Sequence, residues 1–240
     1  TRQAEVVRSL AVLPLNNLTG DAQQDYYVDG LQDLLVTELS QIAGLRVTSR
    51  QSTIRYRNSR LPTADIAREL GVDAIVEGSL MRVGSNIELT VKLIHGESDK
   101  HLWAARYARE TSQVFRLISD IARAIGAETG TAGGLQGIES PVHDRTFPVD
   151  PRAVDAYARG LMHLDRFTPH DVRSAITQLR KAVEIEPRFA LAWGQLAAAN
   201  MISGLVGYAP PHECAEKARA AALKAIEADD RFYIGYSMLA

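Results

Sequence analysis

Ala74-Ile75-Val76-Glu77-Gly78-Ser79-Leu80-Met81-Arg82-Val83-Gly84-Ser85-Asn86-Ile87-Glu88-Leu89-Thr90-Val91-Lys92-Leu93-Ile94 decides the fold class of this 240-residue chain. Ile87, Leu89, Val91 and Leu93 alternate with Glu88, Thr90 and Lys92, the period of a strand with one buried face. Residues 74–82 are an apolar run, and Gly84-Ser85-Asn86 supplies turn residues between the two segments. A β-hairpin of 74–82 and 87–94 is therefore expected. Leu102 to Tyr107 is expected to add a third consecutive strand.

Toward the amino terminus, strand and helix signals alternate. Ser9-Leu10-Ala11-Val12-Leu13 is a short apolar run stopped by Pro14 and reads as a buried strand. Asn16-Asn17-Leu18-Thr19-Gly20-Asp21 reads as a turn. Leu31, Leu34, Leu35, Leu39 and Ile42 fall on one helical face, with Gly44 as the expected stop. Leu45 to Thr48 reads as a second strand, and Thr63 is expected to cap a short helix that Gly71 ends. After the hairpin, Val114, Leu117, Ile118, Ile121, Ala122 and Ile125 mark an amphipathic helix. The order β-α-β-α-β-β-β-α implies an α+β domain, an α/β layer fold with a mixed sheet, over residues 8–129.

Gly126, Gly130, Gly133, Gly134 and Gly137, followed by Pro141 and Pro148, make residues 130–149 a linker. Residues 150–240 are helical and repeat themselves. Lys181-Ala182-Val183-Glu184-Ile185 recurs as Lys224-Ala225-Ile226-Glu227-Ala228, and Trp193-x2-Leu196-Ala197 as Tyr236-x2-Leu239-Ala240. An aromatic, a leucine, a small residue, spaced alanines and a terminal Pro187 form the tetratricopeptide pattern. Ala175, Leu179 and Ala182 in one unit, and Ala218, Ala222 and Ala225 in the next, are expected to let paired helices approach closely. The repeat is longer than the usual one, and the extra residues are expected at Gly204–Pro211, lengthening the turn between helices.

Composition excludes several classes. The chain is 46% hydrophobic and 23% charged, with a net charge of −2, so it is not a general binder of polyanions such as nucleic acid. The single cysteine, Cys214, excludes an internal disulfide and a Cys-rich zinc site. No run of apolar residues is long enough for a membrane helix, and no signal peptide is visible. Because the chain begins at Thr1 and stops within a repeat, it is read as a fragment of something longer.

Ala11-Val12-Leu13-Pro14-Leu15-Asn16-Asn17-Leu18-Thr19-Gly20-Asp21 and Tyr26-Tyr27-Val28-Asp29-Gly30-Leu31 resemble the opening of domains similar to the amino-terminal domain of TolB. Glu69 to Leu80 and His101 to Tyr107 resemble later blocks of that family. The loop His95 to Lys100 departs from the family's usual turn. The resemblance implies the non-catalytic, carboxy-terminal part of a bacterial signalling protein, followed by tetratricopeptide repeats. It implies an effector such as an adenylate or guanylate cyclase or a winged-helix, CadC-like regulator, joined through an upstream membrane helix outside this chain. A periplasmic location follows, with a cytoplasmic one as the alternative. A stand-alone exported periplasmic scaffold or assembly protein is the alternative function.

No phosphate-binding glycine loop is present, and Gly96-Glu97-Ser98-Asp99-Lys100 lacks the closing glycine of a nucleophile elbow. No catalytic residue, cofactor or metal is assigned. His95 and His101 face one another across a hairpin in this reading, but solvated hairpin histidines are the commoner case. Arg46, Arg50, Arg55, Arg57 and Arg60 form the most basic stretch of the chain. Arg50, Arg55 and Arg57 are candidates for binding an anion; the plainer reading is a solvated face with Ile54 and Tyr56 packed inward. Tyr26, Tyr27 and Asp29 at the entry to the first helix are candidates to line a site; the plainer reading is that they fix the strand-to-helix connection and cap the helix. A protein or peptide partner is expected in the groove of the repeats, on Arg159, His163, Gln195 and Asn200. A homodimer is the other partner considered. Direct nucleic-acid binding is not expected, and membrane contact only through the upstream helix.

Overall fold

A computed structural model describes residues 7–130, 149–164 and 166–229. The chain divides into two compact units, residues 1–146 and 147–240.

The first unit is a mixed sheet with helices on its faces. β1 (Ser9–Val12) is buried along its whole length, as its unbroken apolar run requires. It pairs in parallel with β3 (Arg46–Val47) on one side and with β4 (Ala74–Val83) on the other, where Leu10 meets Ala74 and Val12 meets Val76. β4, β5 (Asn86–His95) and β6 (His101–Glu110) follow as antiparallel neighbours, giving the order β3-β1-β4-β5-β6. The hairpin closes through Gly84, whose φ of 61° suits a glycine. Ile87, Leu89, Val91 and Leu93 are all fully buried, so the alternation in β5 is the inner face of the sheet.

The connections from β1 to β3 and from β3 to β4 run in opposite directions along the sheet. Right-handed crossovers then place their helices on opposite faces. α1 (Asp25–Ser40) packs on α4 (Val114–Glu128), which also covers β5 and β6. Buried Glu38 of α1 accepts a hydrogen bond from Ser119 of α4 at 3.1 Å. α2 (Arg50–Thr53) is a single turn after β3. α3 (Thr63–Leu70) covers the other face, where Ile66, Ala67 and Val72 pack with Ala11, Leu13, Tyr56 and Ile75.

Several boundaries differ from expectation. α1 ends at Ser40, so Ile42 is buried beyond the helix and Gly44, at φ 81°, shapes the following turn. Thr63 does not cap α3. Pro62 takes the cap position, and the Thr63 hydroxyl donates instead to Glu77 of β4 at 3.1 Å. Gly71 ends α3 in the left-handed region as expected. The Asn16–Asp21 turn begins with β2 (Asn16–Asn17), which pairs in parallel with Ser79 and Leu80 of β4.

The second unit contains α5 (Pro151–Leu164), α6 (Pro169–Ile185), α7 (Ala190–Leu205) and α8 (Pro211–Ala228), each packed on the next. Ala175, Leu179, Ala182, Ala222 and Ala225 are fully buried, and Ala218 nearly so. The rings of Tyr157 and Phe189 pack with their planes tilted by 42° and their centres 5.0 Å apart. Trp193 donates its indole N–H to the carbonyl of Pro187 at 2.9 Å. Gly204 is inside α7, and only residues 206–210 separate α7 from α8. The extra repeat length therefore lies mainly in the helices and not in the turn. Most of the expected linker, residues 131–148, and the expected further helix from residue 230 onward lie outside the described residues.

Candidate functional site

The basic stretch folds as α2 and a 3-10 turn (Ile54–Tyr56) at the carboxyl ends of β1 and β3. In open α/β sheets this edge is where ligands most often sit. Arg50 and Arg57 converge on one carboxylate, that of Asp29 in α1. Arg50 Nη2 lies 3.3 Å from Asp29 Oδ2, and Arg57 Nη2 donates to Asp29 Oδ1. Gln32, one turn further along α1, is buried. Its Nε2 donates to the Val12 carbonyl at 3.0 Å and to Thr53 Oγ1 at 3.3 Å, and Thr53 donates to the Arg50 carbonyl at 3.0 Å. These bonds tie α2 to α1 and to the end of β1. Asp29 thus holds both guanidiniums, and Arg57 is the more exposed of the two.

Arg55 is spent differently. Its guanidinium lies 4.8 Å from the centre of the Tyr56 ring and reaches Glu69 at 3.4 Å. The Tyr56 hydroxyl donates to Glu69 at 2.7 Å, and burial, then this hydrogen bond, push its pKa up. Tyr56 packs inward as the plainer reading had it, whereas Ile54 is only half-buried. Arg46 donates to the Gly71 carbonyl at 2.7 Å, and Arg60 is exposed.

The four candidate residues of the helical unit lie on α5 and α7, two on each. Arg159 is exposed on α5 and bonds Asp155, one turn back, at 3.0 Å. His163, a further turn along α5, points at the α5–α6 junction, where its Nδ1 lies 3.0 Å from Asp171 Oδ1. Thr168 caps α6: it accepts from the Asp171 amide at 3.1 Å and donates to Asp171 Oδ2 at 2.6 Å. The Thr168 hydroxyl, then His163, hold the Asp171 carboxyl below the usual carboxylate range against the opposing effect of burial. Gln195 is half-buried on α7. Asn200 is buried and donates to the Leu196 carbonyl of its own helix at 2.7 Å.

Ser98 Oγ lies 3.0 Å from His95 Nδ1 within an exposed turn, a local contact that orders the hairpin. Among the described residues no group of three His, Cys, Asp or Glu is placed to hold a metal ion, and no helix is long and apolar enough to cross a membrane. Asp73 went unnoticed in the sequence. Its Oδ2 accepts from the amides of Arg8 and Ser9, both at 2.9 Å, and from the Ser9 hydroxyl at 2.8 Å. Burial pushes its pKa up, but those hydrogen bonds and Arg46 outweigh burial and hold it below the ordinary value. The only local sign is a carboxylate directly after Gly71-Val72.

Residues 6–123 match the family described as "HilA/YgeH-like transcriptional regulator, second domain". Over 189 residues the chain is 32% identical to "Putative adenylate cyclase 3" of Rhizobium meliloti. That alignment covers 79% of this chain and 32% of the relative, so the chain spans about a third of the relative's length. Solved structures with similarity include a lipoprotein of Neisseria meningitidis, at 15% identity and a TM-score of 0.39, covering 50% of this chain and 98% of that one. TolB of Acinetobacter baumannii is similar at 18% identity and a TM-score of 0.38, covering 51% of this chain and 28% of that one.

Proposed function

We propose that this chain is a non-catalytic sensory and protein-interaction module of a bacterial signalling protein. In this reading the α/β unit joins an effector outside the chain to a tetratricopeptide solenoid begun by α5 to α8. One observation carries it. A family named for a transcriptional regulator covers residues 6–123, and the 189-residue alignment to a protein named as a cyclase is too long, in a chain of 240, to avoid the same stretch. Transcription and cyclic-nucleotide synthesis share no chemical step. What such proteins can share is an input. The 43-residue internal repeat between Lys181 and Lys224, with small residues buried along α6 and α8, supports the solenoid.

The partner in this reading is a peptide or protein segment lying along α5 and α7, contacted by Arg159 and Gln195. The chain sits on the periplasmic side of a membrane-anchored protein. The test is to measure the output of the full-length gene product, cyclic nucleotide or reporter transcription, against the same protein carrying Arg159→Ala and Gln195→Ala. Loss of regulation with the basal output retained is expected, together with no cyclic-nucleotide synthesis by the purified chain. Synthesis by the chain alone overturns the reading. An alkaline phosphatase fusion within residues 131–148 tests the location, with activity expected only if that segment is exported.

A further inference from the structure

We propose that the edge of β6 is a homodimer interface, in which two copies of this chain pair their β6 strands antiparallel about a two-fold axis at Ala105. Sheet edges present unpaired backbone groups and are ordinarily blunted by proline, charged side chains (lysine above all), bulges or short length. Among the described residues β6 ends the sheet; it spans ten residues and contains neither proline nor lysine. Its charged side chains are drawn aside: Arg106 is turned onto Glu88 of β5 at 2.5 Å, and Arg109 folds back on the Ala108 carbonyl at 3.0 Å.

The direction of the backbone groups follows from one hydrogen bond. The Thr111 amide donates to the Ser85 carbonyl at 2.8 Å, in the register that pairs Arg109 with Ile87. Counting back by twos, Arg109, Tyr107, Ala105 and Trp103 aim their amides and carbonyls at β5. Ala104, Arg106, Ala108 and Glu110 aim theirs outward. The outward Ala108 carbonyl taken by Arg109 agrees with this. Toward its start the strand is irregular, with a register shift opposite Leu93 and Ile94, so the clean stretch of outward groups begins at Ala104.

Self-pairing about Ala105 uses that stretch well. Ala104 of each copy faces Arg106 of the other and exchanges backbone hydrogen bonds with it. Ala105 meets its own counterpart in a position without such bonds, where strands lie closest and a small side chain fits. Trp103 of each copy falls opposite Tyr107 of the other. Both rings are half-buried on the same face of β6, 6.4 Å apart, and an aromatic pair directly across two strands is stabilising. At each end the exposed Glu110 of one copy comes opposite the exposed Lys100 of the other, so the charges are complementary. Shifting the axis to Arg106 sets two arginines face to face and loses the Trp103–Tyr107 pairs. This pairing rests on the edge geometry alone and holds whatever effector the chain serves.

The test is the mass of the 240-residue chain by sedimentation over a concentration series, for the parent and for two substitutions at exposed Ala104. Ala104→Lys sets two like charges opposite Arg106 and should weaken the dimer roughly tenfold; Ala104→Glu sets opposite charges there and should tighten it. Ala104 also lies opposite Lys92 of β5 within the chain, so each substitution carries the same sign in the fold; the urea midpoint of each variant is measured alongside, and the interface effect is the change in dimerisation that remains between variants at protein concentrations and temperatures where both are fully folded. Ala105→Cys should form a disulfide-linked dimer on mild oxidation, since the paired Cα atoms lie at about 4.5 Å, within disulfide reach. Ala108→Cys should not. A parent chain that stays at 26.3 kDa at all concentrations overturns the proposal and leaves the edge to a strand of another protein. A dimer on which Lys and Glu at position 104 act alike overturns it as well.

Discussion

Gly160→Ala sets two effects of known size against each other. Gly160 lies inside α5, where alanine should favour the helix by about 1 kcal/mol. Against this, a Cβ at Gly160 would sit 2.6 Å from Leu179 Cγ and 2.8 Å from Leu179 Cδ2. Carbon atoms settle at roughly 3.5–4.0 Å, so about an ångström of separation must be found. Leu179 cannot supply it by turning outward, because it is fully buried between Ala175 and Ala182 on α6. The helices must part, and overpacking of this kind costs about 1–3 kcal/mol, with an overlap this deep at the upper end. The clash wins, and a net loss of about 2 kcal/mol is expected.

Urea denaturation of the whole chain, followed by helical circular dichroism, reads this as a lower midpoint for the transition of the helical unit. A second variant tests the cause. Leu179→Ala alone should cost about 2–5 kcal/mol through its cavity. Added to Gly160→Ala it removes the atoms that clash and leaves the helix-propensity gain, so the double variant should be more stable than the sum of the single losses by about 3 kcal/mol, the clash itself. A midpoint that rises by the full helix-propensity gain in Gly160→Ala would refute the reasoning, because α5 and α6 would then not be held in contact at this glycine.

Other expectations follow from the polar ties. Asp29→Ala removes the carboxylate that Arg50 and Arg57 share and should cost about 1.5–3 kcal/mol in urea denaturation, whereas Arg60→Ala, on the surface, should change stability by less than about 0.5 kcal/mol. The Asp73 carboxyl titrates below its ordinary value of 3.8 in the folded chain, so its contribution is present above that pH and is lost as pH falls through the folded pKa. Ser9→Ala should move the Asp73 titration up toward 3.8 in a carboxyl-carbon NMR titration and reduce the acid-side loss of stability. Thr168→Ala removes the cap of α6, should lower stability by about 1 kcal/mol, and should bring the Asp171 titration back up toward the ordinary carboxylate range.

Much of this fold could be read from the local pattern, because each element carries its own period. Val114 to Ile125 shows a helical stripe that the structure buries, and Ile87 to Leu93 an alternation that it also buries. What could not be read were choices of distant partner. Nothing near Asp29 says that it will accept two arginines more than twenty residues away. Asp73 bonds Ser9 across 64 residues, a contact created by β1 and β4 lying in parallel. Thr63 has the residue type that suits a helix cap. The cap went to Pro62, because Glu77 on the neighbouring strand offers the Thr63 hydroxyl a partner that the sequence does not display. Among the candidate site residues, Asn200 shows the same limit: its spacing puts it on a helix, but its burial comes from the packing of α7 against α6 and α8.

β6 shows how an edge can be recognised in hindsight. A central strand with one dry face alternates, as β5 does. His101-Leu102-Trp103-Ala104-Ala105-Arg106-Tyr107-Ala108-Arg109-Glu110 does not: its apolar residues fall on both faces, and most of its positions are exposed or half-buried. With α4 covering only part of one face, burial alone cannot hold the register of such a strand. Its ladder with β5 and the pull of Glu88 on Arg106 do so instead. The consequence is asymmetric. Arg106 and Arg109 of β6 are drawn aside, while the backbone groups of Ala104, Arg106 and Glu110 remain directed outward. A strand held in this way recognises another strand by hydrogen-bond register more than by surface shape. Inserting one residue between Ala104 and Ala105 would therefore be expected to disturb the pairing of copies far more than a polar substitution on the exposed face, and sedimentation of the two variants side by side distinguishes these cases.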